Sequence, residues 1–335
     1  MEQLHLTDSI IELNRDMEPF IVQGSASRPR PFKDKYAALQ FIHFTDVHYR
    51  LDMWNRLVEY MNHYSEYIAF AIHTGDYCGS SQLSYTDLYN EGIPSKRVIY
   101  NCIGNHDTCV HNDKTLNNRR STKEGVHKLL FNRTENWDVE FMPGDFSMTY
   151  YKDFPESNVR LVVLDCYYDV EQQLAWLEYV LKEAKEKGLH VITASHELTD
   201  YICSPADTPF HTANDYTLIP GEKENRSPFE GVIEAFVNEG GIHVIHLAGH
   251  THNDRFGQTE AGILNTAVEC ATTFDGWCDG KRVEGTRTFD AFNAVSVDAN
   301  VGVITLARIG DNVDHYLRFK KSLCYDYVNK KLIYT

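Results

Sequence analysis

The sequence predicts an α/β fold with parallel strands, and three features of the chain support this class. Short apolar runs alternate with amphipathic segments between residues 37 and 248. Several of these runs end in polar or titratable residues, as strands do where ligands bind at the carboxyl edge of an open sheet. After residue 256 the pattern becomes β-like, with a hairpin turn at 298–302. We therefore expect βαβ units followed by antiparallel strands.

The length of 335 residues allows one large domain with a sizeable core. We expect residues 37–310 to form this main domain, because no convincing linker interrupts them. Residues 1–36 are interpreted as an N-terminal extension, and 311–335 as a tail packed on the domain as an added strand or clasp. Polar stretches near 108–147 and 198–226 are interpreted as insertions over the strand ends, where long loops often shape pockets.

In the first half of the chain, helical spacing places Trp54, Leu57 and Met61 on one face of a helix. The flanking apolar runs are too short for helices and favour strands. The expected elements are a strand over 37–44, this helix, strands over 67–73 and 97–103, a short helix over 123–131, and a hairpin of 147–152 with 159–165.

In the second half, Leu177, Val180 and Leu181 share one face of a helix that Gly188 should terminate. Ser227 and Pro228 begin another helix, with Glu230 completing a capping box. The expected elements are helices over 171–187 and from 227, strands over 190–194 and 243–248, and late strands over 262–268, 289–298 and 301–308.

Composition excludes some classes of partner. The 32 basic and 48 acidic residues give a net charge of −16, which disfavours long nucleic acids and anionic membranes. We expect no membrane association, because no run is apolar enough to span a bilayer and residues 1–31 do not resemble a signal peptide. Eight cysteines without a CxxC pair indicate reduced thiols and a cytoplasmic protein. The oligomeric state stays open.

The polar residues after five apolar runs indicate a metal site. They include carboxylates, an amide and imidazoles, a mixture that suits first-row divalent metals and is too rich for one ion. Two neighbouring ions need a bridging ligand, and a carboxylate can give one oxygen to each. The residues are Asp46 and His48, Asp76, Asn105 with His106 and Asp107, His196, and His250 with His252.

Other titratable residues have more ordinary interpretations. His43 and His73 lie inside expected strands and are interpreted as core or supporting residues. For Asp165, a structural turn and a functional role are equally favoured by the sequence.

In this order, the five blocks resemble those of the calcineurin-like metallophosphoesterases. They match the family patterns D-x-H, G-D, G-N-H-[DE], H and G-H-x-H over roughly residues 38–310. The blocks are Asp46-Val47-His48, Gly75-Asp76, Gly104-Asn105-His106-Asp107, His196 and Gly249-His250-Thr251-His252. The resemblance implies a four-layer α/β/β/α sandwich of two mixed sheets.

The resemblance also implies two transition-metal ions, of Mn, Fe or Zn, and metal-dependent hydrolysis of phosphoesters. Asp46, His48 and His252 would hold one ion, and Asp76 would bridge the two. The second ion would be held by Asn105, His196 and His250. A hydroxide shared by the metals would attack phosphorus in line.

In this family mechanism His106 would donate a proton to the leaving oxygen, or would stabilise its charge. Asp107 would hold the His106 imidazole in position and favour its protonated form. The positions that distinguish two subfamilies differ here. Gly79 stands where purple acid phosphatases carry a tyrosine, and the stretch after Asp76 lacks the G-D-x-V-D-R-G pattern of protein Ser/Thr phosphatases.

The expected substrate is a small phosphomonoester or phosphodiester. Four tyrosines follow or lie near strand ends, and they either stack on an organic leaving group or pack under the insertions. They are Tyr49, Tyr77, Tyr167 and Tyr168.

A second hypothesis is a catalytically weak binding or assembly module that retains the fold. Degenerate copies normally lose a ligand, whereas every ligand position is filled in this chain.

Overall fold

The computed structural model describes most of the chain. The described residues are 10–17, 38–78, 87–109, 122–131, 134, 137–199, 227–259, 262–271, 282–311 and 322–334. They form two sheets of seven strands each, flanked by helices. The N-terminal part of the second expected insertion, residues 198 and 199, is described, whereas 200–226 lie outside the described residues, as do 110–121 of the first.

The first sheet has the order β14-β13-β12-β11-β1-β2-β3. Strands β1, β2 and β3 run parallel, and the strands from β11 to β14 add to β1 in antiparallel fashion. The strands are β1 Leu39–Phe44, β2 Phe70–His73, β3 Val98–Asn101, β11 Phe292–Asp298, β12 Val303–Ile309, β13 Ser322–Asp326 and β14 Lys331–Tyr334.

The second sheet has the order β4-β5-β6-β7-β8-β10-β9. Its central strands β6, β7, β8 and β10 are parallel. The strands are β4 Glu140–Phe141, β5 Tyr150–Phe154, β6 Val159–Val163, β7 His190–Ala194, β8 Ile242–Ala248, β9 Arg255–Gln258 and β10 Leu264–Ala267.

Helices cover the outer face of each sheet. The helices are α1 Ile10–Leu13, α2 Leu51–His63, α3 Leu88–Glu91, α4 Lys123–Leu130, α5 Val170–Lys187 and α6 Pro228–Asn238. On the second sheet, α5 and α6 bury Leu177 and Ile233 in one apolar cluster with Val191 of β7. On the first sheet, Trp54 of α2 contacts Phe44 edge to face. This burial of amphipathic faces explains why the helical spacing was informative.

The two sheets pack face to face and share the main core. Phe70 of β2 stacks on Phe154 of β5 with ring centroids 4.9 Å apart. The Tyr150 hydroxyl of β5 donates a hydrogen bond of 2.9 Å to the backbone carbonyl of Asn101. The predicted four-layer α/β/β/α arrangement of two mixed sheets is therefore confirmed.

Most predicted strands and helices are present within a few residues of their expected bounds. Two strands were missed. The strand β4 lies inside the region interpreted as an insertion, and β9 contains Gly257, which obscured its β pattern. The tail forms two strands, β13 and β14, that extend the first sheet beyond β12.

The described piece of the N-terminal extension lies on the main domain. Ile10 is fully buried. The Asn14 side-chain oxygen accepts a hydrogen bond of 2.8 Å from the Gly310 backbone N–H. Asp16 forms an ion pair of 2.9 Å with Arg287. Within the described part of the chain, no helix has both the length and the apolar character needed to cross a bilayer.

A chain of buried hydrogen bonds links strands β7 and β8. The Thr193 hydroxyl lies 2.9 Å from His243 Nε2 and 2.9 Å from His246 Nδ1. His246 Nε2 lies 3.0 Å from the Glu197 carbonyl, which can only accept. His246 Nε2 therefore carries the hydrogen and donates it to the Glu197 carbonyl, so His246 Nδ1 accepts a hydrogen bond from the Thr193 hydroxyl. The Thr193 oxygen accepts a hydrogen bond from His243 Nε2. The His246 imidazole is therefore neutral in this arrangement, and burial keeps His243 neutral as well by lowering its pKa to about 3.

This chain predicts a pH-dependent contribution to stability. Burial lowers the pKa of His246 to about 4, whereas an unfolded histidine titrates near pH ~6.5. The unfolded state therefore binds more protons between these values, and the stability contributed by neutral His246 is lost as the pH falls. We expect the His246→Gln variant to be less stable than the wild type at pH 7, with that gap narrowing by about 2 kcal/mol at pH 5. Urea unfolding at both pH values measures the gap, and a gap independent of pH contradicts the expectation.

Candidate metal centre

The metal-binding residues predicted from five strand ends meet at one place. Strands β1, β2 and β3 end at one edge of the first sheet, and β7 and β8 end beside it in the second. Backbone hydrogen bonds continue past the strands and tie the loops together, as from Asp46 N to the Gly75 carbonyl and from Gly249 N to the His196 carbonyl. Each sheet thus contributes ligands to a common site at the seam between them.

One group of ligands surrounds Asp46. Its Oδ1 atom lies 3.0 Å from His252 Nε2 and 3.6 Å from His48 Nε2. Asp46, His48, Asp76 and His252 each offer a ligand atom, and these four atoms lie within 4.8 Å of one another. His48 Nδ1 lies 3.0 Å from the Cys78 carbonyl, which accepts its hydrogen and leaves Nε2 as a lone-pair donor facing the group.

A second group surrounds the side-chain oxygen of Asn105. This oxygen lies 3.1 Å from His196 Nε2 and 3.0 Å from His250 Nδ1. His196 Nδ1 lies 2.7 Å from the Thr74 carbonyl, so its hydrogen is used there and Nε2 points toward Asn105. An amide oxygen and two imidazole nitrogens are a suitable set for a transition metal.

Asp76 lies between the two groups, and its two oxygens differ. Oδ1 accepts a hydrogen bond of 2.8 Å from the His106 backbone N–H. Oδ2 faces imidazoles on both sides, at 3.5 Å from His196 Nε2 and 3.8 Å from His106 Nε2. Oδ1 accepts this one hydrogen bond and keeps a second lone pair, so both oxygens are still able to bind a cation. The position of Asp76 between the two groups fits the bridging role expected of it.

The buried carboxylates make the site strongly attractive to positive charge. Burial alone would lower the pKa of His252, but the Asp46 carboxylate outweighs it and raises the pKa to about 11. Burial also opposes protonation of His196, while the Asp76 carboxylate raises its pKa to about 10. Cations at these imidazoles, whether protons or metals, balance the charge of the two aspartates. The donor set and its charge therefore fit divalent metal ions.

The backbone at the site is held in an uncommon conformation. Five of the seven predicted metal ligands adopt a positive φ, which L-residues other than Asn and Asp rarely do. Such conformations persist where surrounding contacts impose them, and they cluster at functional sites. The residues and angles are Asp46 at 54°, His48 at 47°, Asp76 at 56°, His250 at 66° and His252 at 54°.

His106 and Asp107 occupy different environments. The His106 side chain is 34% exposed at the mouth of the site, and burial lowers its pKa. Asp107 is fully buried and accepts hydrogen bonds from three backbone N–H groups, of Cys78 at 2.8 Å, Asp76 at 3.0 Å and Gly104 at 2.7 Å. The expected role of Asp107 in holding the His106 imidazole therefore needs correction. Its carboxylate joins the loops after β2 and β3.

Burial and the neighbouring Asp76 charge raise the pKa of Asp107 to about 6. The three backbone hydrogen bonds to this carboxyl group fix the segments that carry Asp76 and His106.

Gly104 is required for close approach to Asp76. Its φ angle is not positive, so the need for glycine at this position comes from space and not from backbone conformation. A Cβ atom added at Gly104 would overlap the Asp76 backbone nitrogen and Oδ1. The absence of a side chain at residue 104 therefore lets the bridging carboxylate sit against the loop after β3.

We expect the Gly104→Ala variant to bind Mn²⁺ about 10–100-fold more weakly, because the added methyl group displaces Asp76. Titration of Mn²⁺ into the chelator-treated chain measures the effect. Gly231→Ala on α6 is the control, since nothing lies within 4 Å of its added Cβ. Unchanged Mn²⁺ affinity in Gly104→Ala contradicts the expectation, whereas the control should keep its Mn²⁺ affinity and gain about 0.5–1 kcal/mol of stability.

The four candidate substrate tyrosines fall into two pairs. Tyr49 and Tyr77 are buried, at 8% and 2% exposure, and pack edge to face. The Tyr77 hydroxyl accepts a hydrogen bond of 2.8 Å from Leu88 N. For this pair the structure favours the packing alternative. Tyr167 and Tyr168 are half-buried, and the Tyr167 ring lies near His196 of the second ligand group.

The turn at Tyr167 is fixed by a buried carboxylate. Asp165 Oδ1 accepts hydrogen bonds from the backbone N–H groups of Tyr167 and Tyr168, which supports the structural interpretation of Asp165. The Tyr167 hydroxyl donates 3.0 Å to Glu197 Oε1, and its ring lies 6.4 Å from the His196 ring. The hydrogen-bonded side chains of Tyr167 and Glu197 therefore lie next to the second ligand group.

Several supporting residues were missed by the sequence reasoning. The Thr45 hydroxyl donates a hydrogen bond of 2.6 Å to Asp46 Oδ2, and His250 N donates 3.1 Å to the same oxygen. The Cys270 thiol contacts His252 and helps to raise its pKa. Nothing in the spacing of these residues marks them. Arg308 is different, because a charged residue within the otherwise uncharged strand β12 indicates a buried ion pair.

No family model matches the chain, and no curated protein matches it in sequence. Among solved structures, it is similar to a dimetal phosphatase from Danio rerio, at 13% identity and a TM-score of 0.51, covering 86% of this chain and 99% of that one. A predicted phosphoesterase from Streptococcus pneumoniae matches at 12% identity and a TM-score of 0.34, covering 86% and 98%. A 5'-nucleotidase from Candida albicans matches at 13% and 0.39, covering 88% and 52%.

Proposed function

We propose, since the chain has the calcineurin-like metallophosphoesterase fold, that it hydrolyses phosphoester bonds at a two-metal centre. The observation that carries this proposal is the convergence of two ligand groups on either side of Asp76. The Asp46 group and the Asn105 group each present oxygen and imidazole donors to one point. A half-exposed imidazole, His106, stands at the mouth of the same site.

Asp46, His48 and His252 would hold one metal, and Asn105, His196 and His250 the other, with Asp76 shared by both. Two divalent metals supply Lewis acidity, lowering the pKa of water and neutralising charge on phosphoryl oxygens. The backbone carbonyls of Cys78 and Thr74 fix the tautomers of His48 and His196, so both imidazoles are ready to bind. Mn, Fe and Zn all accept this set of donors.

His106 is proposed to handle the proton of the leaving oxygen. Its Nε2 atom lies 3.8 Å from Asp76 Oδ2, and its ring meets the His48 ring edge to face at 4.9 Å. The Asp107 carboxylate holds the turn on which His106 sits, so the imidazole is positioned by backbone contacts. A histidine placed in this way can donate a proton or hydrogen bond to a developing alkoxide.

The proposed substrate is a small phosphomonoester or phosphodiester. The net charge of −16 disfavours a long polyanion, since such a ligand needs a basic track. Tyr167 beside the second ligand group supports a compact organic leaving group that the ring can contact.

The test is elemental analysis of the purified full chain combined with a panel of model esters. The panel contains aryl and alkyl phosphomonoesters and phosphodiesters, each assayed after loading with Mn, Fe, Zn or Ni. We expect two metal ions per chain and hydrolysis of at least one ester class. A chain that binds two metals and hydrolyses no member of the panel contradicts this proposal and favours a binding module.

A further inference from the structure

Four charged side chains form a buried cluster behind the loop that carries His252. They belong to the loop after His252, the segment after β10, the segment before β11, and β12. The cluster consists of Asp254, Glu269, Arg282 and Arg308, which are 1%, 0%, 8% and 0% exposed. We call this set the Arg308 cluster.

Arg308 is the centre of this cluster, because it contacts both carboxylates. Its Nε donates 2.9 Å to Asp254 Oδ2, and its Nη2 donates 2.8 Å to Glu269 Oε2. The other oxygen of Asp254 accepts 2.9 Å from the Glu269 backbone N–H. The guanidinium therefore joins two segments that are 15 residues apart in sequence and anchors both to the first sheet.

Both segments lead directly to the metal ligand His252. Asp254 follows it by two residues, and Glu269 precedes Cys270, whose thiol contacts the His252 side chain. The Ala271 backbone N–H then donates 2.9 Å to the Thr45 carbonyl, beside Asp46. The Arg308 cluster thus supports the ligands of one metal from behind.

This support explains two costly features together. His252 holds a positive φ angle of 54°, which needs rigid surroundings. The cluster itself is an expensive way to fill a core, because buried ion pairs seldom stabilise a protein more than apolar side chains of similar volume do. A role in fixing the His252 loop accounts for the presence of charges where apolar residues would suffice.

We propose that Arg308 is a positioning residue that acts through Asp254 and Glu269 to hold His252, and that it sets the affinity of the Asp46–His48–His252 metal position. The second position, around Asn105, takes its support from other contacts. This inference rests on the proposed two-metal function and goes beyond it by assigning one cluster to one of the two metals.

The test is titration of Mn²⁺ into the chelator-treated full chain, followed by calorimetry. Arg308→Lys keeps the charge but cannot span both carboxylates with a planar fork. We expect one of the two Mn²⁺ ions to bind about 10–100-fold more weakly, the range found for residues that orient metal ligands, while the other binds as in the wild type.

Arg160→Lys is the matched control. Arg160 lies on β6 and is also fully buried. Its guanidinium forms ion pairs with Asp153 of β5 at 2.6 Å and with Glu183 of α5 at 2.9 Å. A merely structural role predicts that both variants lose thermal stability and that neither changes metal affinity selectively. Our expectation is that only the Arg308 variant loses one metal.

The outcomes separate this inference from the proposed function. If Arg308→Lys binds both metals with wild-type affinity, or binds both equally more weakly, the positioning role of Arg308 is overturned. The proposed two-metal function is not affected by either result. A wild-type chain that binds no metal overturns the proposed function and this inference with it. If Arg308→Lys does not fold, Asp254→Asn replaces it. In this variant the amide oxygen can still accept a hydrogen bond from the Glu269 backbone N–H, while the charged contact with Arg308 is lost. Weaker binding of one metal supports the proposal, and unchanged binding of both metals overturns it.

Discussion

The Asp76→Asn variant is expected to remain folded and to lose hydrolytic activity by at least about 100-fold, the upper end of the loss found for residues that only orient a metal ligand. Asp76 lies within 4.8 Å of the Asp46, His48 and His252 ligand atoms, and its Oδ2 lies 3.5 Å from His196 Nε2 of the other ligand group. An amide removes the negative charge that a shared ligand needs, and its NH₂ group cannot accept. The side-chain oxygen can still accept from the His106 N–H, so the local backbone is preserved.

Hydrolysis by the metal-loaded full chain, together with metal content, measures the effect of Asp76→Asn. Asp165→Asn is a matched control, since this strand-end aspartate is also buried but supports the turn at Tyr167. The control should keep its metals and most of its activity. Full activity in Asp76→Asn would exclude Asp76 from the centre.

The His106→Ala variant is expected to lower turnover by about 10²–10⁴-fold, the usual range for general acid–base catalysis. The loss should be greatest for alkyl esters, whose leaving oxygens need a proton, and smallest for p-nitrophenyl esters. Both metals should be retained, because the seven proposed ligands do not include His106. Comparing the two ester types at fixed metal loading measures this difference.

His63→Ala is the control for the His106 variant, because His63 is exposed at the end of α2, outside the site. It should turn over both ester types at the wild-type rate. Loss of metal in His106→Ala would place His106 among the ligands, and an equal loss for good and poor leaving groups would argue against proton donation.

The sequence located the site because strand ends carry a readable pattern. An apolar run that stops at Asp46 or Asn105 shows where a strand ends, and parallel strands bring their carboxyl ends to one edge. The sheets and most helices follow from the same periodicity. The strand β9 was missed because four residues containing a glycine show no clear alternation.

The roles of individual atoms could not be predicted from spacing. The role of Asp107 depends on whether its carboxylate contacts the His106 imidazole or backbone N–H groups. The path of the loop after β2 brings two backbone N–H groups to this carboxylate, and the sequence does not show that path. The positive φ angles of the ligands likewise result from contacts across the two sheets. The Arg308 cluster joins residues from distant segments, so only the lone charge within β12 gave a local indication.

The position of the centre at the seam between the sheets has a consequence for how the chain matures. His48 and His252 are 204 positions apart, and they meet only when β8 is in place beside β7. Long-range contacts of this kind form late, because the intervening chain must first lose its conformational freedom. During synthesis, the first three strands can emerge and pair without creating a binding site. The proposed ligand set is thus complete only after β8 has joined the second sheet, so we expect metal uptake to follow that step of folding.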